Sequence, residues 1–413
     1  MLTAYTLILL ILKSEKLVNT TTISSNAFAN SGFVTAFNSQ RKIVYAAGRI
    51  WTLLAPGDVS AGNDLYLVSA PTSIENTWSN SGEVKSSALW SCSYASLCFD
   101  GTYFHLAYLD GELYYRRGTP SSDGTVSWSV VDTVLTRTDG ADVIQLPHII
   151  MDSGNLPWIG YVYRDSVGLT RRPWANKSST NDGTWTDAVG FPNLLQALAN
   201  VTNVRSVPVA LSTNQVLMLW SDDSTKIQAM LYNGAGWDAQ EVDINDNTVL
   251  GEDSFDAVAD SNDIVHIVYR TILALAHKLY YLNRSAAGVW SSETLIASDT
   301  NQGLHGAVSI DDNDRLYIIA TYGGGNSEGL KGSASIEIYR LWDSSASWTK
   351  IDIVTSENSP SYPSMAVAQY NYKIFFTWSA YPSGTTWGVS PFDLRISAIP
   401  IPRPQIQTIS CGI

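Results

Sequence analysis

A unit of about 50 residues recurs seven times along this chain, and that repetition limits the fold more than any other feature. Residues 257–290 show it in full. A short apolar strand runs into a D-S-N-D turn at 260–263, and a second strand follows over 264–269. A third lies at 278–282, and Trp290 opens a fourth. One central position of the second strand reads Trp51, His105, Trp158, Leu217, His266, Tyr317 and Phe375, at steps of 54, 53, 59, 49, 51 and 58 residues. The fourth strand opens on Trp78, Trp128, Trp185, Trp237, Trp290 and Trp348. Four strands and one Trp per unit describe the blades of a propeller. A blade has two apolar faces and cannot bury both alone, so neighbours must stack. The sequence therefore predicts an all-β fold. It is a single seven-bladed β-propeller of four-stranded antiparallel blades, with extended N- and C-terminal arms. Most of the repeated Trp and Tyr residues are expected in the core between blades.

The repeat sets the boundaries: an apolar N-terminal arm over 1–19, the propeller over 20–399 and a Pro-rich C-terminal tail over 400–413. The last unit lacks a fourth strand. Residues 20–23 would supply it and remove an exposed edge; residues 406–410 are the alternative. Residues 1–12, MLTAYTLILLIL, are too short to span a bilayer. They lack a basic leader and a cleavage site, and are expected to pack as a strand on the propeller or on another protein subunit. Only 193–199 suggests a helical turn.

Apolar residues make up 45% of the chain, enough for a core, and charged residues only 15%. The net charge of −13 disfavours nucleic acid and anionic membrane surfaces as partners. Few charges with many Trp, Tyr, Ser and Thr point to an extracellular or virion-surface location. Cys92 and Cys98 lie about 20 Å apart on a straight strand, beyond disulfide reach; Cys92 with Cys411 is the open alternative. No metal spacing is present. The glycine run at 323–325 lacks the Lys-Ser/Thr of a phosphate loop. The D-D-N-D at 311–314 reads as a tight turn. Neither metal nor cofactor is expected.

Propeller sites form where the loops between strands two and three, and between strand four and the next strand one, converge on the channel. Blade three offers the most chemistry there: His148, Tyr163 and Arg164, with His305 from blade six. Such groups can abstract a proton and neutralise a carboxylate. Trp90, Trp174 and Trp387 are candidate stacking platforms for a sugar, and Arg205 and Arg270 candidate polar contacts. The mid-strand His105 and His266 are expected to be satisfied interior residues.

The D-x-N/G turns, the strand ends Val268-Tyr269-Arg270 and Ala107-Tyr108-Leu109, the L-Y-Y third strands and the Trp opening strand four resemble the BNR-repeat, sialidase-like propeller superfamily. The Asp-box S-x-D-x-G-x-x-W is degenerate at 121–128, where Gly124 directly follows Asp123, and again at 180–185. The Arg-Ile-Pro entry motif of sialidases is absent. Some seven-bladed relatives are polysaccharide lyases using His, Tyr and Arg. The resemblance would then give catalysis to His148, Tyr163, Arg164 and His305. Three readings follow: a surface-exposed protein binding a glycan or cell-surface receptor, a polysaccharide lyase or glycosidase, and a ligand-free scaffold whose arms dock to neighbours.

Overall fold

A computed structural model of the chain describes residues 21–28, 39–54, 65–71, 78–85, 94–129, 133–135, 143–164, 170–197, 204–222, 226–247, 255–273, 276–299, 304–322, 335–341, 347–355, 360–367, 369–380 and 392–401. These form seven antiparallel sheets, one per repeat. The inner strands are Ile43–Ala46, Ala95–Phe99, Val143–Met151, Ser206–Ala210, Phe255–Ala259, Gly306–Ile310 and Pro360–Met365. Each touches the next, and Ile43–Ala46 touches the Lys373–Ala380 strand of blade 7, which closes the ring. The second strands are Arg49–Leu54, Phe104–Asp110, Pro157–Arg164, Val216–Ser221, Val265–Leu273, Leu316–Tyr322 and Lys373–Ala380, as the repeat predicts.

Two blades vary at the outer edge. In blade 2, Val126–Trp128 and Thr133–Val134 both pair with Glu112–Pro120. Blade 4 has three strands, with isolated bridges from Ala229 to Glu241 and from Tyr232 to Trp237 in place of the fourth. Blade 7 takes its fourth strand from the start of the chain. Thr21–Phe28 pairs antiparallel with Phe392–Pro400, from Thr21 opposite Ile396 to Phe28 opposite Phe392. The competing segment 406–410 lies outside the described residues, as do Cys92 and Cys411. Asn193–Leu194 is not helical: it pairs with Trp174 and Ala175 as the outer edge of blade 3.

The core is divided among the interfaces between blades. In blade 4, Leu217 and Leu219 pack against blade 5, while Val216, Met218 and Trp220 pack against blade 3. Side chains alternate across an extended strand, so one run of apolar residues serves two interfaces. The six Trp that open fourth strands take one interface each. Trp78 packs between blades 7 and 1, Trp128 between 1 and 2, and Trp185 between 2 and 3. Trp237, Trp290 and Trp348 fill the next three. Each seals the interface with the preceding blade. The cluster between blades 6 and 7 has no such Trp, because the fourth strand of blade 7 comes from the other end of the chain.

The turns between strands one and two are tied by carboxylates. Asp260 Oδ1 accepts the N–H of Asn262 and of Ile264 at 2.9 and 2.8 Å. Asp311 Oδ1 does the same for Asn313 and Arg315, so the D-D-N-D is a tight turn. Asp263 and Asp314 hold left-handed backbone, φ 60° each. Their carboxylates reach the preceding blade, where Ser212 N donates to Asp263 and Ser261 N to Asp314. The degenerate Asp-boxes are turns of the same kind. Asp123 accepts from Thr125, and Asp182 from Thr184.

Candidate functional site

Residues 39–42, Ser-Gln-Arg-Lys, lead into the first inner strand and cross the head of the channel. All four are buried. Gln40 Nε2 donates to Pro147 O of blade 3 at 2.6 Å, and Gln40 O accepts from Ser364 of blade 7. Arg41 Nη1 meets Asp256 Oδ2 of blade 5 at 2.9 Å and Val308 O of blade 6 at 3.2 Å; its Nη2 donates to Ala257 O. Lys42 Nζ donates to Gln40 Oε1 and to Ala95 O of blade 2. Arg205 of blade 4 joins through Ser39 Oγ at 2.7 Å. Every blade thus meets this four-residue leader or its arginine partner.

The electrostatics follow from burial. Lys42 is held well below the usual lysine range by burial and then by Arg205. Burial, with Arg41, Arg205 and Lys42 around it, pushes His148 well below the usual imidazole value, so it is neutral at pH 7. Burial raises the Asp256 carboxyl, against the pull of Arg41 and the N–H groups of Val308 and Ala257.

The sequence-nominated residues fall in separate places. His148 and Arg205 share this cluster. Arg270 Nη1 lies 2.9 Å from His305 Nε2, between blades 5 and 6. Tyr163 is 5% exposed and belongs to the core between blades 2 and 3. Trp174 stacks on Tyr161, ring centroids 6.5 Å apart, and meets Tyr163 edge-on at 6.2 Å. Trp90 and Trp387 lie outside the described residues. Arg164 is the register partner of Arg171 at the rim of blade 3, and Tyr163 of Arg172. Neighbours on an extended strand point to opposite faces, so Tyr163 and Arg164 serve different sides of the blade. Arg164 is half-buried, and its side chain makes no hydrogen bond or ion pair among the described residues. Burial and the like charge of Arg164 lower Arg171, and burial raises the nearby Tyr94 against Arg171.

His105 and His266 are interior groups, as expected. His105 Nε2 lies 2.9 Å from Asp100 Oδ2 and its Nδ1 2.8 Å from Tyr115 Oη. His266 repeats the tyrosine half of this: its Nδ1 lies 2.8 Å from Tyr281 Oη, while its Nε2 sits 3.5 Å from Asp260 Oδ2, outside a well-formed hydrogen bond. No cluster of three or more His, Cys, Asp or Glu able to hold a metal occurs among the described residues. No helix among them is long and apolar enough to cross a membrane. Sequence reasoning missed Arg41, Lys42 and Asp256 as a group. The available signal was a polar quartet placed directly before an apolar strand.

No protein-family model matches the chain, and no curated protein does. Solved structures do match. An ulvan lyase of polysaccharide lyase family PL25, bound to -[GlcA(1-4)Rha3S]-, is 10% identical; the match covers 90% of this chain and 94% of that one, with a TM-score of 0.58. Polysaccharide lyase Uly1 is 10% identical over 88% and 90% of the two chains, TM-score 0.52. A protein of unknown function from Dyadobacter fermentans is 13% identical over 94% and 99%, TM-score 0.51. At these identities the likeness is one of fold: this chain is a seven-bladed β-propeller similar in architecture to polysaccharide lyases.

Proposed function

We propose that this protein recognises an acidic glycan, on the exterior of a cell or virion, on the face where its inner strands begin. Arg164 and Arg171 carry the reading. They are cross-strand partners at the rim of blade 3, and Arg164 has no acidic partner among the described residues. Two like charges side by side repel, and an anion received between them would relieve that repulsion. A guanidinium binds a uronate carboxylate or sulfate ester through paired hydrogen bonds. The fold's likeness to a lyase solved with a glucuronate- and sulfate-bearing oligosaccharide supports the ligand class.

Eliminative cleavage of such a glycan is the second reading, supported by the neutral imidazole of His148. Against it, His148, Tyr163 and His305 lie in three different settings: the channel head, the core between blades 2 and 3, and the contact with Arg270. The test is an array of uronate-bearing and sulfated polysaccharides, read for binding and for ultraviolet absorbance of an unsaturated product. Saturable binding without product supports recognition. Product formation replaces it with the lyase reading. Neither signal overturns both, and leaves the scaffold whose arms dock to other subunits.

A further inference from the structure

A cavity of about 370 Å³ runs along the inner strands below residues 39–42. Arg41 and His148 stand at its head, and its walls include Val44, Cys98, Ile150, Ala210, Ala259 and Val367, from six blades. Val367 is 46% exposed, so the cavity reaches solvent on the face of the strand-one-to-two turns, opposite the proposed glycan face. From His148 to Met151 the wall spans roughly 10 Å, at about 3.3 Å per residue.

The walls offer a sugar little to hydrogen-bond, but they suit a methylene chain. The head differs. His148 is 3% exposed, and its Nδ1 is buried with no hydrogen-bond partner. Arg41 spends three of the five N–H groups a guanidinium carries on Asp256, Val308 and Ala257. Lys42 and Arg205 add basic groups beside His148. Asp256, the acid that faces the head among the described residues, is taken by Arg41 and by the N–H groups of Ala257 and Val308. An anion at the head would meet the remaining N–H groups of Arg41 and complete the His148 ring.

We propose that the channel binds a medium-chain carboxylate, with its head group at Arg41 and His148 and its methylene chain along the bore. This site is independent of the glycan reading and opens on the other face.

The test is titration of the full chain with octanoate, followed by calorimetry and by NMR of isotope-labelled histidine. The chain has five histidines, and His148→Gln assigns the signal. One saturable site is expected, with affinity falling roughly fourfold per methylene removed. 1-Octanol should bind about tenfold more weakly, having lost the charge-assisted bonds. The His148 resonances should shift on saturation, and octanoate should bind more tightly as the pH falls, because a carboxylate beside the ring favours its protonated form. Ala259→Phe, which fills the bore and leaves the head intact, should abolish binding of both ligands. Absence of saturable binding overturns the proposal. So do equal binding of octanol and octanoate, or unmoved His148 signals at saturation.

Discussion

Arg41 and Asp256 meet at 2.9 Å across the head of the channel, their side chains 4% and 0% exposed. One precedes the inner strand of blade 1 and the other lies in that of blade 5. The pair links parts of the ring that share no sheet. Removing one partner of a buried pair leaves an uncompensated charge, at a cost of about 3–5 kcal/mol. Arg41→Met should therefore lower stability by that order in urea unfolding. The loss should be larger at pH 8 than at pH 4, because burial favours the protonated form of Asp256. Arg41→Met with Asp256→Leu should recover most of it, since no charge is then stranded.

At Gly160 of blade 3 the backbone of blade 4 comes close. A Cβ there would lie 2.5 Å from Ser206 O and 2.9 Å from Pro208 Cδ, so backbone must move. Gly160→Ala should cost about 1–3 kcal/mol through overpacking. Gly236→Ala, with nothing within 4 Å of the added carbon, should change stability by less than about 0.5 kcal/mol. Thermal melts of the two variants make the comparison.

These two sites show what the sequence makes legible. The strand positions of Trp51, His105 and Trp158 were readable because side-chain alternation and the repeat period are local and recur. The six sealing Trp were readable for the same reason. Arg41 and Gly160 were not. Each takes its meaning from a contact with another blade, Arg41 with Asp256 and Gly160 with Ser206, and no periodic pattern encodes that. The candidate site suffers most, because the repeat fixes blades while chemistry sits where blades differ. His148 and Arg205 do share the channel head, whereas Tyr163 lies in the core between blades 2 and 3 and Trp174 packs half-buried against it.

Among the described residues, the N-terminal strand is the outer cover of Phe392–Pro400 in the sheet of blade 7. Removing residues 1–28 should leave that strand as an open edge, ready to pair with another chain. Light scattering should then show concentration-dependent association, and the melting temperature should drop. A peptide of residues 21–28 added in trans should reverse both.

Stability should fall as the pH drops below about 6.5. Burial lowers His105, against the opposing pull of Asp100, and burial with three basic neighbours lowers His148. Both are neutral in the fold, whereas the unfolded chain binds their protons. Each therefore contributes up to about 1.4 kcal/mol per pH unit of lost stability below that point. Asp100 and Asp260 add a second loss at lower pH. Burial alone would raise them, but hydrogen bonds from histidine and backbone N–H groups hold both below the usual carboxylate value. Calorimetric melts from pH 7.5 to 5 should show the first slope, and His105→Gln should reduce it.

Arg164→Ala should weaken acidic-glycan binding about tenfold or more, the worth of a charge-assisted hydrogen bond. Arg171→Ala should do the same, and the double variant should lose less than the product of the two, since both would grip one anion. Arg164→Lys should recover only part, because an ammonium cannot make the paired contact of a guanidinium. Raising the salt from 0.05 to 0.5 M should weaken the parent more than either variant, as screening acts on the charge that the variants have already lost. Equal binding by parent and double variant on the same uronate-bearing polysaccharide would remove these arginines from the site. A binding face would then have to be sought among the loops of other blades. Retained stability in Arg164→Ala is expected throughout, since the Arg164 side chain holds nothing else in place among the described residues.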